Sequence, residues 1–255
     1  MGDWREMYRL HAKLPAFKKR IAKSKKIIRD ALERIKNPYA AISFGKDSMV
    51  LLHLLIQQKP DIPMVWSDRG EEAELPATYP FVEQVKQKYN INLHVIRPEM
   101  SMFEIYRQYG LPEIDEGVYR SIVKEINLVH TFGKYVRENS IDGYFQGLRA
   151  DEARSRLMFA KRYGPLFERK RDGMTACNPL LWWTARDIWA YIVAYDVPYH
   201  PEYDNDRFKS REQIRLSNWS GLYWAQEGRL AELRYYHPDL FDRLANEFPE
   251  VKSLV

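Results

Sequence analysis

The chain has 255 residues, of which 45% are hydrophobic, a net charge of +5 and one cysteine. This length can bury a full core as one large domain or as one domain with appendages. The single cysteine excludes an internal disulfide, a multi-cysteine zinc site and a cysteine-ligated iron–sulfur cluster within one chain. No apolar run approaches the roughly 20 residues that span a bilayer, and the amino terminus lacks a signal-peptide core, so we expect a cytoplasmic protein without a membrane partner.

The amino-terminal 36 residues are predicted to form a basic, amphipathic helical arm. They hold 12 of the 40 Lys and Arg and 4 of the 35 Asp and Glu, a net charge of +8 against −3 for the rest. Apolar residues recur at helical steps, and Pro15 opens a second segment or kinks the first. The apolar positions are Met7, Leu10, Leu14, Phe17, Ile21, Ile28, Leu32 and Ile35. The basic cluster at 18–29 could bind a nucleic-acid backbone, or it could simply be solvated.

The next segment has the form of an anion-binding site. Residues 39–42 are predicted to be a strand and 49–55 a helix, joined by 43–48 with the sequence Ser-Phe-Gly-Lys-Asp-Ser. Such a junction directs unpaired backbone N–H groups at one point, and the helix dipole adds roughly half a positive charge there. Ser43, Ser48 and Lys46 can add further donors. The segment therefore predicts a phosphate or pyrophosphate site, although similar junctions in many α/β proteins bind nothing.

The remaining chain alternates between short strands and helix-length segments. Strands are predicted at 63–68, 91–96 and 143–148, and helices at 78–89, 102–109, 120–138, 184–192, 223–235 and 239–246, with turns at 110–117. This order predicts an α/β fold, a doubly wound, mostly parallel sheet with helices on both faces. Because ligands bind beyond the carboxyl ends of such strands, we expect segments 43–48, 67–70 and 148–156 to converge on one crevice.

The segment after the fourth predicted strand contains Arg149, Arg154 and Arg156. The planar guanidinium group binds phosphate or sulfate through paired hydrogen bonds, so this segment could extend the anion site. The alternative is an exposed helix start with local Asp, Glu and Arg ion pairs.

Cys177, the lone thiol, is more typical of a buried small residue than of a nucleophile. The six histidines show no metal-binding spacing, so no dedicated metal site is indicated.

Four segments, by their sequences and by their order along the chain, resemble the phosphoadenosine phosphosulfate (PAPS) reductase family, a branch of the adenine-nucleotide α-hydrolase superfamily. Residues 43–48 resemble its pyrophosphate loop, and 147–156 resemble G-x-R-x-x-x-S-x-x-R. Residues 68–79 resemble D-T-G…F-P-E-T-Y, with Arg69 and Ala77 departing. The last match is to N-P-L-x-D-W-T-x-x-D-V-W…P-Y-N-P-L-Y-D, at 178–189 and 198–204. The resemblance covers about residues 38–205.

The resemblance implies a nucleotide-binding domain at 37–205, between the arm at 1–36 and a helical extension at 206–255. The nucleotide-binding residues it implies are Ser43, Phe44, Gly45, Lys46, Asp47, Ser48, Asp68, Gly70, Gly147 and Arg149. The implied catalytic residues are Lys46, Asp47, Arg149 and Arg156. Asp47 is also the candidate ligand for a Mg²⁺ ion that enters with the nucleotide.

The departures from the family pattern affect the expected reaction. True reductases resemble one another in an E-C-G-x-H segment whose cysteine attacks the sulfur of PAPS, and residues 250–255 do not provide it. Adenylylsulfate reductases add cysteine pairs for an iron–sulfur cluster, which we do not expect here. Our first hypothesis is therefore an ATP pyrophosphatase that uses ATP and Mg²⁺ to adenylylate a substrate and release pyrophosphate, in nucleic-acid or sulfur modification with partner proteins.

Two alternatives remain open. The chain could bind PAPS or adenylylsulfate as a reductase or sulfotransferase-like enzyme, with the thiol coming from a partner protein. It could also be a non-catalytic nucleotide sensor or DNA-binding module. The polar groups of Ser43, Lys46, Asp47 and Ser48 argue against the sensor, because no structural requirement calls for all four together.

Overall fold

Six short strands form the central sheet. The computed structural model describes residues 3–111, 122, 125–216 and 229–255. Its strands are β1 Pro38–Ala41, β2 Met64–Ser67, β3 Leu93–Ile96, β4 Gly143–Gln146, β5 Leu166–Glu168 and β6 Thr175–Cys177. β1 pairs in parallel with β2 and with β4, and β4 pairs in parallel with β6, whereas β5 runs antiparallel to β6. The predicted mostly parallel α/β sheet is confirmed.

The strand order reverses between β1 and β4. Across the sheet the order is β3-β2-β1-β4-β6-β5, so the chain first builds outward from β1 in one direction and then from β4 in the other. In open α/β sheets such a reversal leaves a crevice at the carboxyl ends of the two central strands. The residues that follow β1 and those that follow β4 therefore reach the same edge of the sheet.

The helices agree with most of the sequence predictions. They are α1 Trp4–Lys13, α2 Pro15–Leu32, α3 Lys46–Ile56, α4 Thr78–Tyr89, α5 Met102–Tyr109, α6 Thr131–Glu138, α7 Arg154–Tyr163, α8 Ala185–Ala194, α9 Arg229–Tyr236 and α10 Pro238–Glu247. A π-helix, Glu125–His130, precedes α6. Within the described ranges, no helix combines the length and hydropathy needed to cross a bilayer.

Some sequence predictions concern residues outside the ranges that the structure describes, and two strands have no counterpart among the predictions. Most of the turn-rich stretch at 110–117, the start of the helix at 120–138 and residues 223–228 of the helix at 223–235 lie outside the described residues. β5 and β6 were not predicted, because three-residue strands are too short to show a clear alternation of apolar and polar side chains.

The amino-terminal arm forms two helices that break at Pro15, as predicted. The predicted apolar stripe is correct in α2, where Phe17 and Ile28 are buried, but it is wrong in α1. Met7, Leu10 and Leu14 are 46%, 58% and 47% exposed. The break gives the two helices separate axes, so a stripe read through both of them does not continue along one face.

α1 packs on α8 through aromatic side chains instead. The rings of Trp4 and Tyr8 contact Trp189, with centroid distances of 5.8 and 6.3 Å. Trp4 also contacts Tyr199 edge to face at 6.1 Å. Aromatic contacts of this kind contribute about 0.5–1.5 kcal/mol each beyond the area they bury.

A buried carboxylate fixes the arm to α8. Asp187 is fully buried in the first turn of α8, where Thr184 and Asp187 form the predicted cap. Arg20 Nη1 donates to both carboxylate oxygens at 2.7 Å, and His11 Nε2 lies 2.8 Å from Oδ1. Burial alone would raise the pKa of Asp187, but the surrounding hydrogen bonds outweigh burial and hold the pKa below its ordinary value of 3.8.

The contacts of the chain divide it into two compact units. One consists of Met1–Trp66, Tyr79–His94 and Val136–His200, and the other of Ser67–Thr78, Val95–Tyr135 and Pro201–Val255. The first has a core centred on α3, in which Met49 and Leu52 are fully buried. In the second, the ring of Phe248 contacts Phe103 and Tyr106 at 5.4 and 5.5 Å. The division into arm, domain and extension at 36 and 205 stays a prediction.

Replacing Asp187 should make the protein less stable and change its acid sensitivity. A group with a lowered pKa stabilises the fold above its unfolded-state pKa, and that stabilisation is lost as the pH falls through the folded-state value. We expect Asp187→Asn to lower the free energy of unfolding at pH 7 by about 2 kcal/mol and to flatten its decrease below about pH 4, measured by urea denaturation. Asp3→Asn, at an exposed ion pair with Arg9, is the control and should change little. Equal effects in the two variants would contradict this role of Asp187.

Candidate functional site

Residues 43–48 form a tight turn from β1 into α3. Phe44 has φ = 55°, in the left-handed region that bulky residues rarely adopt. Its side chain is fully buried and contacts Trp66 and Phe81, with ring centroid distances of 5.5 and 6.4 Å. The buried aromatic contacts offset the cost of the backbone conformation. Phe44 therefore shapes the loop from its inner side, and only its backbone remains to contact a ligand.

The two serines close the loop. The N–H of Ser43 donates to Ser48 Oγ at 3.2 Å, and the Ser48 hydroxyl donates to the Gly45 carbonyl at 3.0 Å. Gly45 is the N-cap of α3 and has no side chain to cap it. The first N–H groups of α3 therefore receive no side-chain cap from that position and form the positive end of the helix dipole. Lys46, in the same turn, is only 3% exposed.

The end of β4 lies directly against the first turn of α3. A Cβ atom at Gly147 would be 3.2 Å from the backbone carbon and oxygen of Asp47 and 3.3 Å from the backbone nitrogen of Ser48. These distances are shorter than ordinary contacts of a Cβ atom, so a side chain at this position would force the two segments apart. The structure thus joins the segments after β1 and β4, two of the three that the sequence predicted to converge.

Arg149 links the two segments through charge. Its side chain is 5% exposed, with Nε 2.5 Å from Asp47 Oδ1 and Nη1 2.6 and 2.8 Å from the carboxylate oxygens of Asp151. Asp47 also lies 3.7 Å from Lys46 Nζ. Burial disfavours the charged guanidinium, but the nearby carboxylates, Asp47 first, outweigh burial and raise the pKa of Arg149. The guanidinium is therefore a permanent cation at the sheet edge.

Unpartnered buried polar atoms concentrate at this edge. Among the described residues, six buried side-chain nitrogen or oxygen atoms have no hydrogen-bond partner, and four of them belong to Asp47, Arg149 and Asn178. Two of these atoms, Asp47 Oδ1 and Arg149 Nε, are the two ends of the ion pair at 2.5 Å. Asn178 follows β6 and is fully buried, with both amide atoms unpartnered. Because a buried amide costs free energy when it is unpaired, Asn178 indicates a place for a polar ligand or ordered water at this edge.

Sequence reasoning missed two of these residues. Asp151 holds Arg149 in place. The sequence signal for this ion pair is the spacing of two residues between the aspartate and the arginine. Asn178 was noted only as part of the N-P-L segment. Its position one residue after a buried strand would have suggested a role, but β6 itself was not predicted.

The other predicted site residues make contacts of their own. Arg156 is in the first turn of α7 and forms an ion pair with Glu152 of the preceding 3₁₀ turn. Asp68 and Gly70 belong to the second unit, where Asp68 accepts the Gly70 N–H at 3.0 Å and forms an ion pair with Arg97. Gly70 has φ = 87°, which glycine adopts without strain. Their contact with a nucleotide stays a prediction.

Cys177 is the lone thiol of the chain, and Asp47 is the candidate ligand for Mg²⁺. Cys177 is fully buried, and burial raises the pKa of its thiol, so it is neither accessible nor ionised near neutral pH. Within the described ranges, no group of three or more His, Cys, Asp or Glu residues could hold a metal ion. Asp47 offers one carboxylate beside two cations, so Mg²⁺ at this residue would also need the phosphates of a bound nucleotide.

Comparison with known proteins points to one family. The family model for the phosphoadenosine phosphosulfate reductase domain matches residues 37–236. A phosphoadenosine 5'-phosphosulfate reductase of Vibrio campbellii is 32% identical over 207 residues, covering 80% of this chain and 76% of that protein. One from Xanthomonas axonopodis pv. citri is 32% identical over 166 residues, covering 65% of this chain and 66% of its own length.

Solved structures share the fold. The phosphoadenylyl-sulfate reductase of Candida auris, in a phosphate complex, superposes with a TM-score of 0.56 at 22% identity, covering 71% of this chain and 84% of that chain. An FMN adenylyltransferase of Candida glabrata gives a TM-score of 0.55 at 14% identity, covering 78% of this chain and 65% of that one. At these identities the likeness concerns the fold alone.

Adding a side chain at Gly147 should disturb the site. Gly147→Ala places a methyl group against the backbone of Asp47 and Ser48, so we expect a loss of about 1–3 kcal/mol in the free energy of unfolding and a larger loss for Gly147→Val. Urea denaturation measures both. The control is Gly173→Ala, where no atom lies within 4 Å of the added carbon and only the left-handed backbone, φ = 67°, is strained. An unchanged stability in Gly147→Val would contradict the close approach.

Proposed function

This chain belongs to the phosphoadenosine phosphosulfate reductase family, and we propose that it binds PAPS or adenylylsulfate beyond the carboxyl ends of β1 and β4 for sulfur transfer or reduction. The observation that supports this most strongly is the position of the Asp47–Arg149 ion pair and of the unpartnered, buried amide of Asn178. They lie beyond three neighbouring strands at the reversal of strand order, where α/β sheets bind ligands. A polar ligand there would satisfy groups that are otherwise buried at a cost.

The first turn of α3 supplies the anion-binding part of the proposed site. Its uncapped N–H groups and Lys46 would hold the phosphate and sulfate oxygens, and the Ser48 hydroxyl keeps the loop in the required shape. Arg149 would stabilise negative charge that develops on the nucleotide phosphate as the bond to sulfur breaks. In this proposal Asp47 positions Arg149, since the two groups are already in contact.

The attacking thiol would come from outside these 255 residues. Cys177 is the single cysteine, and it is buried with a raised pKa. We infer that a thiolate of a partner protein bonds to the sulfate sulfur, that the bond between sulfur and the bridging oxygen breaks, and that the nucleotide leaves with its phosphate. A second thiol would then release sulfite and leave a disulfide in the reductase case.

A second candidate is the ATP pyrophosphatase reaction. The inaccessibility of Cys177 favours it, because attack on the α-phosphorus of ATP needs no thiol in this chain. The acceptor would bond to that phosphorus as its bond to pyrophosphate breaks, and the loop at 43–48 would hold the departing pyrophosphate. Mg²⁺ would be held by the phosphates of the nucleotide and by Asp47. The proposed acceptors include a nucleic acid.

Calorimetric titration distinguishes the two candidates. The purified protein is titrated with PAPS, with adenylylsulfate, and with ATP plus Mg²⁺. We expect a phosphosulfate nucleotide to bind most tightly and, with a dithiol protein such as thioredoxin added, to release sulfite. Tight binding of ATP with release of pyrophosphate would instead favour the second candidate, and no binding of any of the three would contradict both.

Two substitutions test the anion-binding loop. Lys46→Met removes the buried ammonium but keeps most of the volume, and Ser48→Ala releases the hydrogen bonds that close the loop. Lys46→Met should weaken nucleotide binding at least about 10-fold in the same titration, because charged hydrogen bonds contribute roughly 1.5–3 kcal/mol. Ser48→Ala should also weaken it, because the loop loses the hydrogen bonds that keep its shape. Lys252→Met, the same change at an exposed lysine, is the control. Unchanged affinity in both loop variants would refute the assignment.

A further inference from the structure

Helix α7 lies on the surface with almost no buried face. Of its ten residues only Ala160 is buried, in a small cluster with Ala150 and Leu181. Phe159 and Tyr163 add ring contacts with Phe167 of β5, at centroid distances of 5.2 and 5.5 Å. A helix of this length is marginal without packing, so these few contacts hold it in place. The opposite side of α7 is left to the solvent.

That side carries basic residues with apolar residues between them. Its residues lie at steps of three and four and share one helix face, which we call the α7 face, formed by Arg154, Leu157, Met158, Lys161 and Arg162. Leu157 and Met158 are 37% and 64% exposed. Helix α7 contains no carboxylate, and among the described residues Arg154 and Lys161 form no ion pair. Three cations therefore stand on one surface without neutralisation from their own helix.

The α7 face begins beside the candidate nucleotide site. Arg154 follows Arg149 by five residues, across the 3₁₀ turn Ala150–Glu152. The helix then extends about 15 Å from that edge of the sheet. A long ligand bound along the α7 face would have one end near the reactive part of a nucleotide held at β1 and β4.

We propose that the α7 face binds single-stranded nucleic acid. The three cations, with no carboxylate on their own helix, suit the negative charges of a phosphate backbone. One exposed aromatic ring lies close to α7, because Trp182, which is 39% exposed, directly follows Leu181, and Leu181 packs against Ala160 of that helix. Such rings stack on unpaired bases, which favours a single strand over a duplex. This inference does not depend on which nucleotide reaction the chain performs.

Anisotropy of a fluorescein-labelled oligothymidine of roughly 12 nucleotides tests the proposal without any nucleotide ligand. The variant Arg154→Gln/Lys161→Gln/Arg162→Gln should lose at least about 10-fold in affinity. The slope of log affinity against log salt should fall in magnitude by about 2. Trp182→Ala should weaken binding several-fold without changing that slope. Thermal denaturation of each variant verifies that it is folded.

The charge-matched control is Lys18→Gln/Lys19→Gln/Lys23→Gln, which removes three exposed charges from α2. The proposal predicts that this control keeps its affinity within about 3-fold. Equal losses in the two triple variants, or a loss only in the α2 variant, would overturn the assignment to α7. So would absence of binding by the wild-type protein at low salt, or equal affinity for a duplex of the same length.

Discussion

The close approach of Gly147 to the first turn of α3 is the constraint on which the candidate site depends. A Cβ atom at Gly147, just beyond the carboxyl end of β4, would lie 3.2–3.3 Å from the backbone of Asp47 and Ser48, closer than an ordinary contact. This contact joins the segment after β1 to the segment after β4 at the point where strand order reverses. Every other feature of the site follows from that junction, because it sets where the helix dipole and Arg149 lie.

Charge is balanced at this junction before any ligand binds. Arg149 contacts Asp47 and Asp151, and Lys46 lies near Asp47, so charges of both signs compensate one another. Removing one member of such a group is costly, whereas a ligand anion can exchange for a carboxylate at modest cost. The unpartnered amide of Asn178 is a buried group at the same edge of the sheet that such a ligand would satisfy. We propose that this chain keeps an anion site at the junction and takes its nucleophile from another molecule.

The sequence predicted the parts of this structure that depend on local patterns. The parallel strands, the loop at 43–48 and the cap formed by Thr184 and Asp187 each leave a periodic or spaced signal within a few residues. The sequence could not predict that Asp187 binds Arg20, because that contact joins residues 167 positions apart. It failed for Met7, Leu10 and Leu14 because apolar periodicity does not say which neighbour is available to cover a face. The short strands β5 and β6, and with them Asn178, gave too little pattern to recognise.

A crystal structure of the protein soaked with PAPS would test the central claim most directly. The account predicts phosphate or sulfate oxygens within hydrogen-bond distance of the backbone N–H groups in the first turn of α3, with the Arg149 guanidinium also in contact. A nucleotide bound elsewhere on the chain, with the loop at 43–48 and Arg149 making no contact to it, would contradict the account.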